Sequence, residues 1–118
     1  METIERMAEA AINGESLLLR SLTQDLLREQ SSLSDCPKPQ TKDLRYLAAA
    51  ASLVELLALR LRQSPPSWTQ EVGALSEPIY LLKAAASMKR LRELCETQSP
   101  EPLRKRGFYA PPNFLEFA

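Results

Sequence analysis

A long apolar segment in the middle of the chain constrains the fold more than any other feature. Proline-containing loops bound it, Pro37-Lys38-Pro39 before it and Pro65-Pro66 after it, and prolines end helices. Its apolar side chains recur at steps of three and four residues, which predicts a helix from about Thr41 to about Gln63. The repeating positions are Leu44, Leu47, Ala51, Val54, Ala58 and Leu61. Four more leucines widen the apolar surface, so we expect a central helix that is covered on more than one side.

Two other long helices are expected to cover this one. The first spans residues 3–30, because its apolar stripe stays in phase across Gly14. The second begins at Glu77-Pro78, with core positions at Leu81, Ala84, Ala85, Met88, Leu91 and Cys95. Short helices are expected at 67–72 and 99–107, each preceded by proline or serine and ended by glycine. The predicted fold class is all-α, with a bundle of three long and two short helices in residues 1–107.

Residues 108–118, which we call the C-terminal arm, hold four of the seven aromatic residues of the chain. Two interpretations stay open. The aromatic side chains seal an edge of their own bundle, or the arm reaches into another subunit or a partner. On the second interpretation, the candidate partner-binding residues are Arg104, Arg106, Phe108, Tyr109, Phe114 and Phe117, with Trp68 and Tyr80 second.

The chain contains no histidine, which excludes most familiar catalytic sites. Ser-His-Asp and Cys-His nucleophiles, HExxH zinc sites and the di-iron motif of helical bundles all require it. The three glycines are too far apart for a phosphate-binding loop. Carboxylate pairs such as Glu5 with Glu9 are typical of solvated helix faces. We therefore expect no enzyme, no catalytic residue, no metal and no cofactor.

Charge is balanced overall but unevenly distributed. The formal net charge is zero, while residues 1–43 carry −3 and residues 83–118 carry +3. A neutral total is unusual for a protein that coats nucleic acid or an anionic membrane. The basic end still supports an alternative function, nucleic-acid binding. That alternative would use Lys89, Arg90, Arg92, Arg104, Lys105 and Arg106.

Sequence signals for export or membrane insertion are missing. The first residues lack the apolar region of a signal peptide, and the apolar run of the central helix is shorter than the roughly twenty residues of a membrane span. Cys36 and Cys95 have no metal-binding spacing and are expected to be free thiols. The expected location is cytoplasmic.

The second half of the chain is similar to a known pattern. Trp68, Glu77-Pro78 and Ser99-Pro100-(x)2-Leu103-Arg104-x-Arg106, followed by an aromatic residue, resemble a family of small uncharacterised bacterial all-helical proteins over residues 54–118. The resemblance implies an accessory or antitoxin-like module, and some members carry a helix-turn-helix DNA-binding segment. Residues 1–43 fit one long helix better than a helix-turn-helix, and the family supplies no catalytic residue.

These observations predict a non-enzymatic helical protein–protein interaction module, regulatory or toxin–antitoxin-like. The partner is another protein, a second copy of the chain, or both. A homodimer is expected because the central helix looks too apolar for three helices to cover it.

Overall fold

The computed structural model describes residues 3–30, 32–82, 85 and 87–115. Its elements, in chain order, are helix α1 (Thr3–Ile12), helix α2 (Ser16–Glu29), 3-10 turn η1 (Leu33–Asp35), helix α3 (Leu44–Leu61), 3-10 turn η2 (Ser67–Glu71), strand β1 (Ile79–Tyr80), helix α4 (Lys89–Gln98), helix α5 (Glu101–Arg104) and strand β2 (Phe108–Tyr109). Helices dominate, so the predicted all-α class is confirmed. No helix in the described part is long and apolar enough to cross a membrane.

Helix α3 lies at the centre of the molecule, as its apolar sequence predicts. Every residue from 48 to 58 is buried, and α1, α5 and η2 pack against the helix. This cover comes from the chain's own elements. Leu44, Leu59 and Leu61, toward the two ends of α3, are 72%, 64% and 37% exposed, so the predicted repeating positions Leu44 and Leu61 are not part of the core.

Helix α3 ends in a left-handed residue that is not glycine. Arg62 has a φ of 56°, and its N–H donates to the Leu59 carbonyl at 3.4 Å. The N–H of Gln63 donates to the Ala58 carbonyl at 2.8 Å. These two bonds form a Schellman motif, which satisfies carbonyls that the helix end leaves without partners.

The prediction of one helix over residues 3–30 is wrong, because the chain breaks at Gly14. Gly14 adopts a left-handed φ of 71°. Its N–H donates to the Ala11 carbonyl at 3.2 Å, and the N–H of Glu15 donates to the Ala10 carbonyl at 2.9 Å, which completes a second Schellman motif. Helix α2 resumes in phase and buries Leu19, Leu22 and Leu26, so the apolar period alone could not reveal the break.

The third long helix predicted from Glu77-Pro78 is also wrong in its first half. Strand β1 pairs in parallel with β2, with Ile79 opposite Phe108 and Tyr80 opposite Tyr109. This pairing needs an extended backbone, and it replaces the helical bonds expected there. The helix, α4, begins only at Lys89.

Most of the core positions predicted for that helix are nevertheless buried. Leu81, Ala85 and Cys95 are 3%, 0% and 0% exposed, and Leu91 is half-buried. Met88 was placed in the core but is 55% exposed, because it lies just before α4 instead of inside a helix. Ala84 lies outside the described residues.

Candidate partner-binding surface

Arg106 was predicted to bind a partner or a nucleic acid, but it is buried and only 3% exposed. Its guanidinium donates to both carboxylate oxygens of Glu55, at 2.6 and 3.0 Å. Its other donors reach the carbonyl oxygens of Thr69 at 2.7 Å, Val72 at 3.2 Å and Pro102 at 3.4 Å. All five N–H groups therefore have acceptors. Arg106 joins α3, η2 and α5 and has no donor left for a ligand.

Glu55 balances the charge of the buried guanidinium. The Lys105 ammonium also contacts it, at 2.8 Å. Burial alone would raise the pKa of Glu55, but the hydrogen bonds from Arg106 and Lys105 outweigh burial and lower the pKa from 4.5 to about 2. Two open clefts of about 350 Å³ each flank Glu55 and Lys105. Since Glu55 and Arg106 satisfy each other, this charged cluster holds the fold together.

The C-terminal arm packs on its own chain as far as residue 115. Phe108 and Ala110 are 0% exposed and Leu115 is 1% exposed. Phe108 was predicted to bind a partner, and its complete burial removes it from the accessible surface. Phe117 lies outside the described residues. The geometry of residues 108–115 therefore corresponds to the interpretation in which the arm seals its own bundle.

Two polar side chains fasten the arm. The Ser99 hydroxyl accepts from the Ala110 N–H at 2.9 Å and lies 3.1 Å from the Ala110 carbonyl oxygen. The Arg60 guanidinium donates to the carbonyl oxygens of Phe114 and Pro112, the latter at 3.1 Å. These bonds come from α3 and from the residue that directly follows α4. They hold residues 110–114 of the arm against the helical bundle.

The remaining aromatic candidates have partners on different elements. Tyr80 and Tyr109 are both half-buried, with ring centroids 5.4 Å apart. A hydrogen bond to Glu96 raises the pKa of the Tyr80 phenol. Trp68 donates its indole N–H to the Cys36 carbonyl oxygen at 2.8 Å and packs against the core. Trp68 is therefore held by the core, while parts of Tyr80 and Tyr109 stay accessible.

An open groove of about 470 Å³ lies between the start of α2, helix α4 and the C-terminal arm. We call it the apolar groove, because most of its lining surface is apolar. It is lined by Ser16, Leu19, Leu82, Leu91, Leu94, Pro111, Asn113, Phe114 and Leu115. Phe114, one of the predicted partner-binding residues, is half-buried there. In the groove, one predicted partner-binding residue therefore lies together with leucines that are not among the predicted partner-binding residues.

Helix α4 forms one wall of the groove and buries one of its ten residues, Cys95. Its Cys95 is buried, and burial raises the pKa of that thiol, so the thiol serves as a core group. Leu91 and Leu94 are only half-buried and form the groove wall.

Two leucines in the first turn of α2 are exposed to solvent. Leu17 is 85% exposed and Leu18 is 40% exposed. Ser16 and Leu19, on either side of them in the chain, line the groove. Singly exposed leucines are common on protein surfaces, and only larger exposed apolar patches point to interaction sites.

The predicted basic cluster does not present six cations on the surface. Arg106 is buried, and Lys105 is paired with Glu55. Arg92 donates to the Ala85 carbonyl oxygen at 3.1 Å. The exposed members are Lys89, Arg90, Arg92, Arg104 and Lys105. Part of the positive charge expected for nucleic acid is therefore used inside the fold.

Nucleophilic and metal-binding groups are sparse in the described residues. Cys36 and Cys95 are both buried free thiols, as predicted. Among the residues described, no three Cys, Asp or Glu side chains converge in a way that could hold a metal ion.

The apolar groove could have been suspected from one signal. Leu94 lies outside the predicted core positions of its helix, so this leucine was available for a surface apolar site. No family model, curated protein or solved structure matches this chain. The apolar groove is therefore the feature from which a function is proposed.

Proposed function

We propose that this protein is a helical protein–protein interaction module that binds apolar side chains of a partner in the apolar groove. The observation that carries this proposal is the groove itself, an open cavity of about 470 Å³ walled by leucines and Phe114. A concave, mainly apolar site with a few polar groups at its edge is the usual form of a binding pocket. Ser16 and Asn113 supply such polar groups.

The groove offers enough apolar surface for useful affinity. Burying one Leu-sized or Phe-sized side chain contributes about 1.5–3 kcal/mol, which is roughly a tenfold to hundredfold change in Kd. Since the groove is open and has a volume of about 470 Å³, a partner can insert more than one such side chain. Binding of this kind needs no catalytic group.

The proposal is tested with variants that change the groove in opposite ways. Leu94→Asp places a charge in the wall, and Asn113→Trp fills the cavity without removing a core contact. Leu44→Asp is the matched control, because Leu44 is 72% exposed at the start of α3, away from the groove. Circular dichroism and thermal unfolding establish that each variant is folded.

Each tagged variant is used to capture proteins from an extract of the source cells. The partner should bind the wild type and Leu44→Asp and be lost from both groove variants. The captured protein is then purified and titrated by calorimetry, where each groove variant should weaken Kd at least about tenfold. A partner that binds both groove variants as tightly as it binds the wild type would refute the proposal.

A further inference from the structure

The short segment after η2, from Val72 to Leu75, is attached to Arg106 along one side. The Arg106 side chain donates to the Val72 carbonyl oxygen at 3.2 Å. The N–H of Leu75 donates to the Arg106 carbonyl oxygen at 3.0 Å. Gly73 and Ala74, between these two attachments, are exposed. The segment therefore lies at the surface, with the polar groups of one side already hydrogen-bonded.

The planarity of the peptide bond fixes the direction of its remaining polar groups. In a trans peptide the C=O of one residue and the N–H of the next point in opposite directions, and the described chain has no cis peptide bond. Because the Val72 carbonyl faces Arg106, the Gly73 N–H points away from Arg106. Because the Leu75 N–H faces Arg106, the Ala74 carbonyl also points away from it.

The same arrangement recurs where the segment enters β1. The N–H of Ile79 donates to the Gly107 carbonyl oxygen at 2.8 Å, so the Pro78 carbonyl points the opposite way. We call the Gly73 N–H and the carbonyls of Ala74 and Pro78 the free edge. Within the part of the chain that the structure describes, none of these three groups has a hydrogen-bond partner. An unpaired edge of this kind is a template for a further strand.

An open groove of about 530 Å³, which we call the edge groove, lies beside this segment. Residues of the segment and of the first turn of α3 line it, among them Leu44, Arg45, Leu47, Gly73, Ala74 and Leu75. Gly73 and Ala74 also line the cleft beside Glu55, but that cleft includes Arg106 and the edge groove does not. The free edge, which points away from Arg106, therefore borders the edge groove.

The charges around the edge groove leave two carboxylates without a counterion. Arg45 lines the groove, but its guanidinium is paired with the Asp43 carboxylate at 3.1 Å. Glu71 is exposed in the same groove, and Glu77 is exposed in an adjoining cavity of about 260 Å³ that also contains Arg45. Neither Glu71 nor Glu77 forms an ion pair with any other described residue. Basic side chains of a partner complement this surface.

We propose that the edge groove binds an extended segment of another protein that carries basic side chains, and that this segment pairs with the free edge. Its main chain hydrogen-bonds to Gly73 and Ala74, and its alternate side chains contact Leu44, which is 72% exposed. Glu71 and Glu77 favour lysine or arginine in the segment. The edge groove shares no lining residue with the apolar groove, so this site goes beyond the proposed function.

Peptide titration tests the proposal on the full chain. The probes are acetylated and amidated peptides of the form Lys-X-Thr-X-Thr-X-Lys, with Val, Leu or Phe at X. In heteronuclear NMR of the labelled protein, we expect saturable shifts at residues 44–47 and 71–77, with the Gly73 amide moving downfield as its N–H gains an acceptor. Peptides with glutamate in place of lysine should bind at least about twofold more weakly. No saturable shift at these residues with any probe overturns the proposal.

Methylated peptides distinguish strand pairing from other forms of binding. A strand directs the N–H groups of alternate residues to one edge, so only one alternate set can reach the free edge. Methylating the nitrogens at the three X positions and methylating those at the two Thr positions should therefore have different effects, with binding lost in one case and retained in the other. Equal loss or equal retention overturns the proposal.

Variants of Gly73 test the free edge from the protein side. Gly73→Pro removes the N–H, and Gly73→Ala is the matched control that keeps it. A Cβ at Gly73 meets no atom within 4 Å, and Val72 has the extended conformation, φ −92° and ψ 118°, that a residue before proline prefers. Gly73→Pro should weaken peptide binding about two- to tenfold, and Gly73→Ala should leave it unchanged. Equal binding by Gly73→Pro and the wild type overturns the proposal.

Two further measurements identify the occupant and the site. The double variant Glu71→Lys and Glu77→Lys should bind the lysine peptides more weakly and the glutamate peptides more tightly, and an unchanged preference contradicts the proposed charge of the partner. Asn113→Trp, in the apolar groove, should leave peptide binding unchanged, so the two sites are tested independently. A dimer of the free protein in sedimentation velocity that Gly73→Pro dissociates would make the occupant a second copy and overturn the proposal.

Discussion

Replacing Glu55 with Gln removes the charge that balances Arg106 and should strongly destabilise the fold. Arg106 would stay buried, at 3% exposure, with its positive charge uncompensated. Removing one partner of a buried ion pair typically costs about 3–5 kcal/mol. A second route gives a similar magnitude: the shift in the pKa of Glu55 from 4.5 to about 2 corresponds to a stabilisation of about 3 kcal/mol.

The pH dependence of this stabilisation has a definite sign. The pKa of Glu55 is lower in the folded state than in the unfolded state, because Arg106 and Lys105 favour the carboxylate. The contribution is therefore complete above about pH 5 and is lost as the pH falls toward 2. At pH 3 about 1 kcal/mol of it should remain. The stability difference between the wild type and Glu55→Gln should shrink accordingly.

Urea unfolding followed by circular dichroism measures this difference at pH 7, 5, 4 and 3. Glu93→Gln is the matched control, since Glu93 is an exposed carboxylate on α4 and should change stability by less than about 0.5 kcal/mol. A loss below about 1 kcal/mol for Glu55→Gln at pH 7, or a difference that is constant from pH 7 to pH 3, would show that the reasoning is wrong.

Two further predictions concern the ends of elements. Ser99→Ala should leave the buried Ala110 N–H without its acceptor at 2.9 Å and cost about 1–3 kcal/mol, measured by thermal unfolding and by faster hydrogen exchange at Ala110. An unchanged exchange rate there would contradict this account of how the arm is held. Arg62→Gly should stabilise the protein by up to about 1 kcal/mol in urea unfolding, because glycine adopts the φ of 56° without strain. Arg62→Ala should give no such gain, and an equal gain would argue against strain.

Local sequence signals account for much of the fold. The central helix follows from the spacing of its apolar residues, and the structure buries residues 48–58, although the predicted packing positions Leu44 and Leu61 are exposed. The sequence shows a glycine at position 14, but a glycine can either continue a helix at some cost or end it in a left-handed conformation. The hydrogen bonds from the Gly14 and Glu15 N–H groups to the carbonyls of α1 show that it ends the helix. The strand at Ile79 was not visible, because its partner lies 29 residues further along the chain.

The candidate site also combines features that the local sequence predicts with features that depend on contacts between distant segments. Aromatic content correctly drew attention to the C-terminal arm, and Phe114 lines the apolar groove. Arg106 and Phe108 are predicted at the surface but are buried. Arg106 is buried because folding brings it to the Glu55 carboxylate, 51 residues earlier in the chain, and Phe108 because it packs into the core. Leu94 lies outside the predicted core positions of its helix, and the structure places it in the groove wall.

By itself, the sequence determined the helical class, the central position of α3 and the exclusion of histidine-dependent chemistry, because these depend on residue types and on spacings within one segment. Tertiary structure alone decided that Arg106 pairs with Glu55, that β1 is extended and that α2, α4 and the C-terminal arm leave a groove between them. Each of these depends on contacts between distant segments. Their free energies arise only when the chain has folded and water has been excluded between its parts.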